Sequence, residues 1–186
     1  MADELKGKRV AIIATDGVEQ MELVEPRKAV EEAGAEAELL SIEDGEIQAM
    51  NHDLEPADRF GVDGLISNAS ADDYDGLILP GGTVNADKLR IDDGVIAFVK
   101  EYFRSGKPVG VICHGPWTLV EADLVRGRTL TSYPSVRTDI RNAGGEVVDE
   151  EVVVDQGLVS SRNPDDLPAF CAKIVEEFAG KHKVAG

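Results

Sequence analysis

Cys113 and His114 are the adjacent pair of residues with the clearest chemistry in the sequence. They directly follow an apolar, β-rich run at residues 108–112, and Gly115 comes next. A small residue at this place lets a strand turn sharply into a helix and present the side chain at the turn outward. The first turn of a helix favours thiolate over thiol through its dipole and free N–H groups. This placement predicts a nucleophile at Cys113, with a buried structural cysteine as the competing interpretation.

His114 is a candidate partner for that thiol and one of three histidines in the chain. A histidine can stabilise a thiolate or move its proton when an acidic residue orients the ring. Neighbouring side chains at a turn usually point apart, so a partly exposed structural histidine is the alternative. The second cysteine, Cys171, lies in a late amphipathic segment, and this position predicts a buried structural thiol.

Glu22 and the pair Gly81-Gly82 are the other candidates for chemistry. A carboxyl group buried beside a thiolate has a raised pKa and can donate or accept a proton. Glu22 lies one turn into the first predicted helix, with Glu19 as its nearest rival and a solvated glutamate as the ordinary alternative. Backbone N–H groups of Gly81-Gly82 could face a developing oxyanion, and an ordinary tight turn is the alternative.

The elements that must position these residues alternate between strands and helices. This alternation predicts βαβ units with right-handed crossovers and a mainly parallel sheet between two helical layers, an α/β three-layer sandwich. Reactive groups gather at the carboxyl ends of strands in such sheets, where all the candidates above fall. The predicted strands cover residues 9–15, 38–42, 76–79, 108–112, 129–132, 152–154 and 158–160. The predicted helices cover residues 19–33, 92–105, 135–143 and 165–178, and a further helix follows the segment 113–117 and runs to about residue 125.

Residues 43–72 are less regular, and short strands at 46–50 and 61–65 indicate a side hairpin. The length of 186 residues, without repeats or long linkers, predicts a single domain over residues 1–186 with its core at about 8–180.

The net charge of −17 argues against nucleic acid or an anionic membrane as a partner. No apolar run reaches the roughly 18 residues of a membrane span, and the polar start shows no secretory signal, so we expect a cytoplasmic protein. We expect no metal and no cofactor, because the sequence lacks His/Cys ligand spacing and phosphate-binding glycine patterns.

Several segments together resemble the ThiJ/PfpI superfamily, and its PfpI branch of stress proteins and intracellular cysteine peptidases. The likeness runs from about residue 8 to 180 and implies a flavodoxin-like sandwich with a cysteine nucleophile elbow, assembled as a homodimer or homohexamer. The segments that carry it are 14–22 (ATDGVEQME), 79–82 (LPGG), 106–109 (GKPV), 112–116 (ICHGP), 151–155 (EVVVD) and 159–168 (VSSRNPDDLP).

The resemblance also implies roles for individual residues. Cys113 would be the nucleophile, His114 its partner, and Glu22 the carboxyl group beside the sulfur. The backbone of Gly82 and His114 would form an oxyanion pocket. In peptidase-like members an acidic residue after the double glycine reaches a histidine of a neighbouring subunit. Asp87 is the best match here, although the loop at 83–87 is one residue longer than the usual pattern.

Three functions follow from these assignments. The first is a stress-protective enzyme acting on reactive dicarbonyls or early glycation adducts, a glyoxalase III or deglycase that uses Cys113 and Glu22. The second is an intracellular cysteine peptidase that cleaves peptides with Cys113 and His114. The third is a redox sensor or chaperone-like protein without catalysis. Related amidotransferases use a downstream histidine, and residues 161–165 contain none.

Overall fold

A computed structural model describes residues 3–180, and its centre is a seven-stranded sheet. The strands are β1 (Arg9–Ile13), β2 (Glu36–Ser41), β3 (Glu46–Asn51), β4 (Glu55–Gly61), β5 (Gly64–Leu65), β6 (Gly76–Leu79), β7 (Val109–Ile112), β8 (Thr129–Leu130), β9 (Glu146–Val147), β10 (Val153–Asp155) and β11 (Leu158–Ser161). The helices are α1 (Gln20–Glu32), α2 (Thr83–Arg90), α3 (Asp93–Arg104), α4 (Pro116–Glu121), α5 (Arg137–Asn142) and α6 (Leu167–Phe178).

The main sheet has the strand order β10-β11-β7-β6-β1-β2-β5. All neighbouring strands run parallel except β10 and β11, which pair antiparallel. The carboxyl ends of β1, β6, β7 and β11 therefore meet at one edge of the sheet. This arrangement confirms the mainly parallel α/β sandwich expected from the sequence.

Two hydrophobic clusters cover the two faces of this sheet. Along β1, Val10 and Ile12 belong to one cluster, and Ala11 and Ile13 belong to the other, because successive side chains point to opposite faces. The first cluster includes residues of α1 and α6, and the second includes residues of α3, α4 and α5. Each fully buried aliphatic side chain contributes about 1.5–3 kcal/mol, which makes the sheet a rigid base for the loops at its edge.

The side hairpin exists, but the predicted position of its second strand is wrong. β3 pairs antiparallel with β4 at Glu55–Gly61, whereas Gly64–Leu65 forms β5, an edge strand parallel to β2. The β4 side chains are exposed or half-buried, so its sequence has no apolar alternation that would mark it as a strand. His52 and Asp53 in the connecting turn have positive φ angles of 53° and 63°.

Other boundaries differ where a turn or a separate ribbon replaces the predicted element. Residues 83–87, predicted as a loop, begin the helix α2. The helix after Cys113 starts only at Pro116 and ends at Glu121. Thr129–Leu130 pairs with β9 in a separate two-stranded ribbon and does not join the main sheet as predicted. Within residues 3–180, no helix combines the length and the apolar character that a membrane crossing needs.

Candidate active site

Cys113 lies on a sharp elbow at the carboxyl end of β7. Its φ angle is 62°, a left-handed conformation that is uncommon outside glycine and that marks a locally strained backbone. The backbone fixes this conformation from both sides: the N–H of Cys113 donates to the carbonyl oxygen of Ser161 at 3.1 Å, and its own carbonyl oxygen accepts from the N–H of Tyr133 at 3.0 Å. The Cys113 side chain is thereby held at the sheet edge, 6% exposed.

The double glycine after β6 brings a second loop against the sulfur. A Cβ atom on Gly81 would lie only 2.7 Å from the Cβ of Cys113, so no larger residue fits there. Gly82 has a φ angle of 91° and begins α2. The backbone N–H groups of Gly82 and His114 hydrogen-bond the Cys113 sulfur and lower the pKa of the thiol.

Burial has the opposite and larger effect, and the pKa of Cys113 therefore lies above its usual range. The negative charge of Glu22 raises it further. The thiolate expected from the helix terminus is therefore not the resting state, and α4 itself begins only at Pro116. A base must remove the proton before the sulfur can attack an electrophile.

Glu22 lies on the buried face of α1, with no exposed side-chain surface. Its Oε1 atom accepts a hydrogen bond from the N–H of Gly81 at 2.9 Å, and the carboxyl group also hydrogen-bonds the Cys113 side chain. Burial, and then the charge of Glu19, raises the pKa of Glu22 to about 8. At neutral pH the carboxyl group is therefore mostly protonated beside the thiol, which is unlike the solvated glutamate of the ordinary alternative.

His114 contacts Cys113 directly, although adjacency alone did not require it. The Nδ1 atom lies 3.2 Å from Sγ of Cys113, and the imidazole ring stacks on Tyr133 with 4.6 Å between ring centroids. On its other side, Nε2 lies 3.3 Å from Oγ1 of Thr83 and 3.3 Å from Oγ of Ser135. Burial lowers the pKa of His114, opposed by the charge of Asp53, so the ring is neutral near pH 7 and can accept a proton.

Asp87 does not join this group within one chain. It lies on α2 with an exposed side chain, and its predicted contact with a neighbouring subunit stays a prediction. The acidic group that acts on His114 here is Asp53, in the turn between β3 and β4. Sequence reasoning missed Asp53, Thr83 and Ser135, because only the tertiary fold brings them to His114, and no local pattern marks them.

The second cysteine has a different setting. Cys171 is half-buried on α6, and burial together with the charge of Glu25 raises its pKa to about 12. Within residues 3–180, no three His, Cys, Asp or Glu side chains converge as metal ligands would. The chemistry of the described chain is therefore concentrated at Cys113, where a thiol, a neutral imidazole, a protonated carboxyl group and two N–H donors meet.

The fold and the site define a class of α/β proteins: flavodoxin-like sandwiches that carry a cysteine at a strand-to-helix elbow. The model of the DJ-1/PfpI family matches residues 8–177 of this chain. The chain therefore belongs to the DJ-1/PfpI family.

Two curated relatives and one solved structure show how far this likeness extends. YraA of Bacillus subtilis, named provisionally as a cysteine protease, is 41% identical over 163 residues, covering 88% of this chain and 94% of YraA. Protein/nucleic acid deglycase 2 of Escherichia coli is 40% identical over 164 residues, covering 88% of this chain and 93% of that protein.

The solved structure is a protein of Anabaena variabilis that contains DJ-1/ThiJ/PfpI-like and ferritin-like domains. It matches with a TM-score of 0.86 and 33% identity over 96% of this chain. Our chain spans about half of that two-domain protein, 52% of its length.

Proposed function

We propose that this protein is a cysteine-dependent enzyme that acts on reactive dicarbonyls or early glycation adducts. The observation that carries the proposal is the Glu22 carboxyl group, fully buried against the Cys113 thiol with its pKa raised to about 8. Burying a titratable group is costly, and strongly shifted pKa values cluster at functional sites. The name of the Escherichia coli relative, a protein/nucleic acid deglycase, supports the same chemistry.

The proposed reaction begins when the sulfur of Cys113 attacks the aldehyde carbon of methylglyoxal. The S–H proton passes to Nδ1 of His114, which lies 3.2 Å from the sulfur. Glu22, protonated at neutral pH, gives its proton to the carbonyl oxygen, so that a hemithioacetal forms and Glu22 is left as a carboxylate. The N–H groups of Gly82 and His114 are suited to stabilise the charge that develops on that oxygen.

The Glu22 carboxylate then takes the proton from the hemithioacetal carbon and delivers it to the neighbouring ketone carbon. Its pKa of about 8 suits this role, because a carboxylate with a raised pKa is a stronger base than an exposed one. The product is a thioester of lactate on Cys113, and hydrolysis releases lactate and restores the thiol. Deglycation would use the same attack on an early sugar-like adduct.

A cysteine peptidase is the second candidate, favoured by the contact between Nδ1 of His114 and the sulfur and by the name of YraA. Here Cys113 would attack a peptide carbonyl and form a thioester with the acyl group as the amine leaves. This reaction needs no proton transfer by Glu22. A role for Glu22 in turnover therefore separates the two candidates.

The experiment measures lactate formed from methylglyoxal, without glutathione, by the wild type, Cys113→Ala, Glu22→Gln and the control Cys171→Ser. Loss of activity in the first two variants, with the control active, supports dicarbonyl chemistry. A wild type that forms no lactate with Cys113 reduced contradicts it, and peptide hydrolysis that survives Glu22→Gln favours the peptidase. A protective role under stress, a cytoplasmic location and a homodimer or homohexamer are parts of the same proposal.

A further inference from the structure

Asp53 is joined to the active site by two hydrogen bonds to a single residue. Its Oδ1 atom accepts from the backbone N–H of Thr83, and its Oδ2 atom accepts from the Thr83 hydroxyl, both at 2.8 Å. The turn that carries Asp53 is itself fixed, because Glu19 accepts hydrogen bonds from the N–H groups of His52 at 2.8 Å and of Asp53 at 3.1 Å. The carboxylate is thus held in one orientation toward the start of α2.

The direction of the hydrogen bond between Thr83 and His114 follows from this arrangement. A hydroxyl group has one hydrogen, and an ionised carboxylate can only accept. The Thr83 hydrogen is therefore given to Asp53, and only a lone pair of Oγ1 remains for Nε2 of His114, 3.3 Å away. A hydrogen bond between Oγ1 of Thr83 and Nε2 therefore requires the hydrogen of the neutral ring to be on Nε2. The Ser135 hydroxyl, also 3.3 Å from Nε2, can accept from that hydrogen or donate to a bare Nε2, so it selects neither tautomer by itself.

We propose that Asp53, acting through the Thr83 hydroxyl, fixes His114 as the Nε2–H tautomer, so that the bare Nδ1 atom faces Cys113 as its base. We call Asp53, Thr83 and His114 the tautomer relay. Asp53 and Thr83 are positioning residues in it, since neither touches the sulfur. Asp53, the acidic residue of the relay, belongs to the same chain as His114, so the relay does not require Asp87 of a neighbouring subunit.

The relay assigns a path to the thiol proton. The S–H bond of Cys113 breaks as an N–H bond forms at Nδ1, and this leaves a thiolate and an imidazolium. The negative charge of Asp53 stabilises the imidazolium, in agreement with its direction of effect on the pKa of His114. The role of the relay in turnover rests on the proposed function, whereas the tautomer of the resting protein does not.

Other groups around His114 do not fix its tautomer. Tyr133 stacks on the imidazole and Trp117 meets it in a T-shaped contact, so neither ring contact selects the protonated nitrogen. The titratable and charged groups that surround the ring, directly or one residue away, are Cys113 after β7, Glu19 and Glu22 at the start of α1, Asp53 in the β3–β4 turn, Tyr133 before α5, and Arg90 and Asp139 against Trp117.

The direct test is the ¹⁵N NMR spectrum of the imidazole nitrogens near pH 7.5, with His114 assigned by its absence in His114→Gln. We expect the Nε2–H pattern in the wild type. Asp53→Asn should shift it toward Nδ1–H, because an amide donates to Thr83 and frees the hydroxyl hydrogen for Nε2. Thr83→Val should mix the tautomers, and Thr83→Ser, which keeps the hydroxyl, should restore the wild-type pattern.

A wild type with Nδ1–H, or an unchanged His114 spectrum in both Asp53→Asn and Thr83→Val, would overturn the relay. Asp58→Asn is the matched control, because the Asp58 carboxylate lies in the same hairpin and accepts a hydrogen bond from the Gln20 side chain instead of from Thr83. If Asp53→Asn disturbs the turn, Thr83→Val and Thr83→Ser still decide the question. Both variants keep the hydrogen bond from the backbone N–H of residue 83 to Asp53, and they differ in whether the hydroxyl is present.

A second readout is the rate at which Cys113 reacts with iodoacetamide across pH, in a Cys171→Ser background. This reaction forms a C–S bond, releases iodide and sends the thiol proton to Nδ1. We expect Asp53→Asn and Thr83→Val to lower the rate at pH 7 by at least about tenfold. Rates equal to the wild type in both variants contradict the relay.

Asp87→Asn separates the two possible acids. Loss of thiol reactivity in Asp87→Asn, with Asp53→Asn intact, would overturn the relay in favour of an acid from another subunit. The opposite pattern supports it. Neither alkylation nor NMR depends on methylglyoxal, so a failure of the proposed function leaves these results interpretable.

Discussion

The surroundings of Cys113 and Cys171 differ in the features that make a buried thiol reactive. Burial raises the pKa of both Cys113 and Cys171. Cys171 lines an open groove of about 440 Å³ between α1 and α6, whereas Cys113 is 6% exposed. Access alone would therefore favour Cys171. The difference lies in the partners, because only Cys113 has a base at 3.2 Å and backbone N–H groups that stabilise its anion.

The largest effect should come from removing the Cys113 thiol. Cys113→Ala is expected to lower the rate of lactate formation to the uncatalysed background, a loss of about 10³-fold or more, because no other group can form the hemithioacetal. Cys171→Ser, measured in the same assay, should stay within about twofold of the wild type. Activity retained without Cys113 would mean that the comparison assigns the wrong thiol.

The second effect concerns Glu22, the fully buried carboxyl group beside Cys113. The folded-state pKa of Glu22 is about 8, above its ordinary value of 4.5. A raised pKa contributes stability that is complete below pH 4.5 and is lost as the pH rises through 8. Relative to Glu22→Gln, the free energy of unfolding should therefore fall over this window, by at most about 5 kcal/mol.

Chemical denaturation at several pH values between 4 and 9, in a Cys113→Ala background, measures this difference without thiol ionisation. Other carboxyl groups titrate equally in both proteins and cancel. A difference that is flat with pH would show that the Glu22 side chain reaches water.

The third effect tests the close approach of the two loops at Cys113. Gly81→Ala places a methyl group 2.7 Å from the Cβ of Cys113 and against Glu22, so we expect a loss of about 1–3 kcal/mol in the free energy of unfolding, together with most of the activity. Gly61→Ala is the control, since no atom lies within 4 Å of its added methyl group. Equal stability of the two variants in urea would contradict the packing described here.

The smallest effect should be on the Cys171 side. Cys171→Ser replaces a half-buried thiol by a hydroxyl on α6 and should cost about 1 kcal/mol or less. Thermal unfolding measures it directly. A substantially larger loss would indicate that the groove between α1 and α6 depends on this side chain, and the contrast between the regions would then be weaker.

Much of this contrast was predictable from local sequence. The run at 108–112 followed by Cys113-His114-Gly115 identifies the elbow, because an apolar strand and a small residue are local signals. The presence of Glu22 near the site was also expected. Its burial was one of two alternatives that the local sequence left open, since the apolar spacing in this segment includes Met21, which is 42% exposed in the structure.

The parts that escaped prediction share one physical cause. β4 pairs through its backbone and buries little, so its residues carry no periodic pattern. Asp53 and Thr83 meet only because the hairpin folds over the start of α2. Such contacts depend on how distant elements are placed relative to one another, and the local sequence does not predict that placement.

The β3–β4 hairpin stands outside the main sheet, yet it carries Asp53, the carboxylate whose charge acts on His114. The nucleophile and the N–H donors belong to loops that the sheet holds in place, whereas Asp53 belongs to an appendage with a mostly solvent-facing second strand. Mutations can therefore accumulate in the hairpin without disturbing the elbow. This separation would let descendants of one scaffold diverge in their proton chemistry while inheriting the same nucleophile.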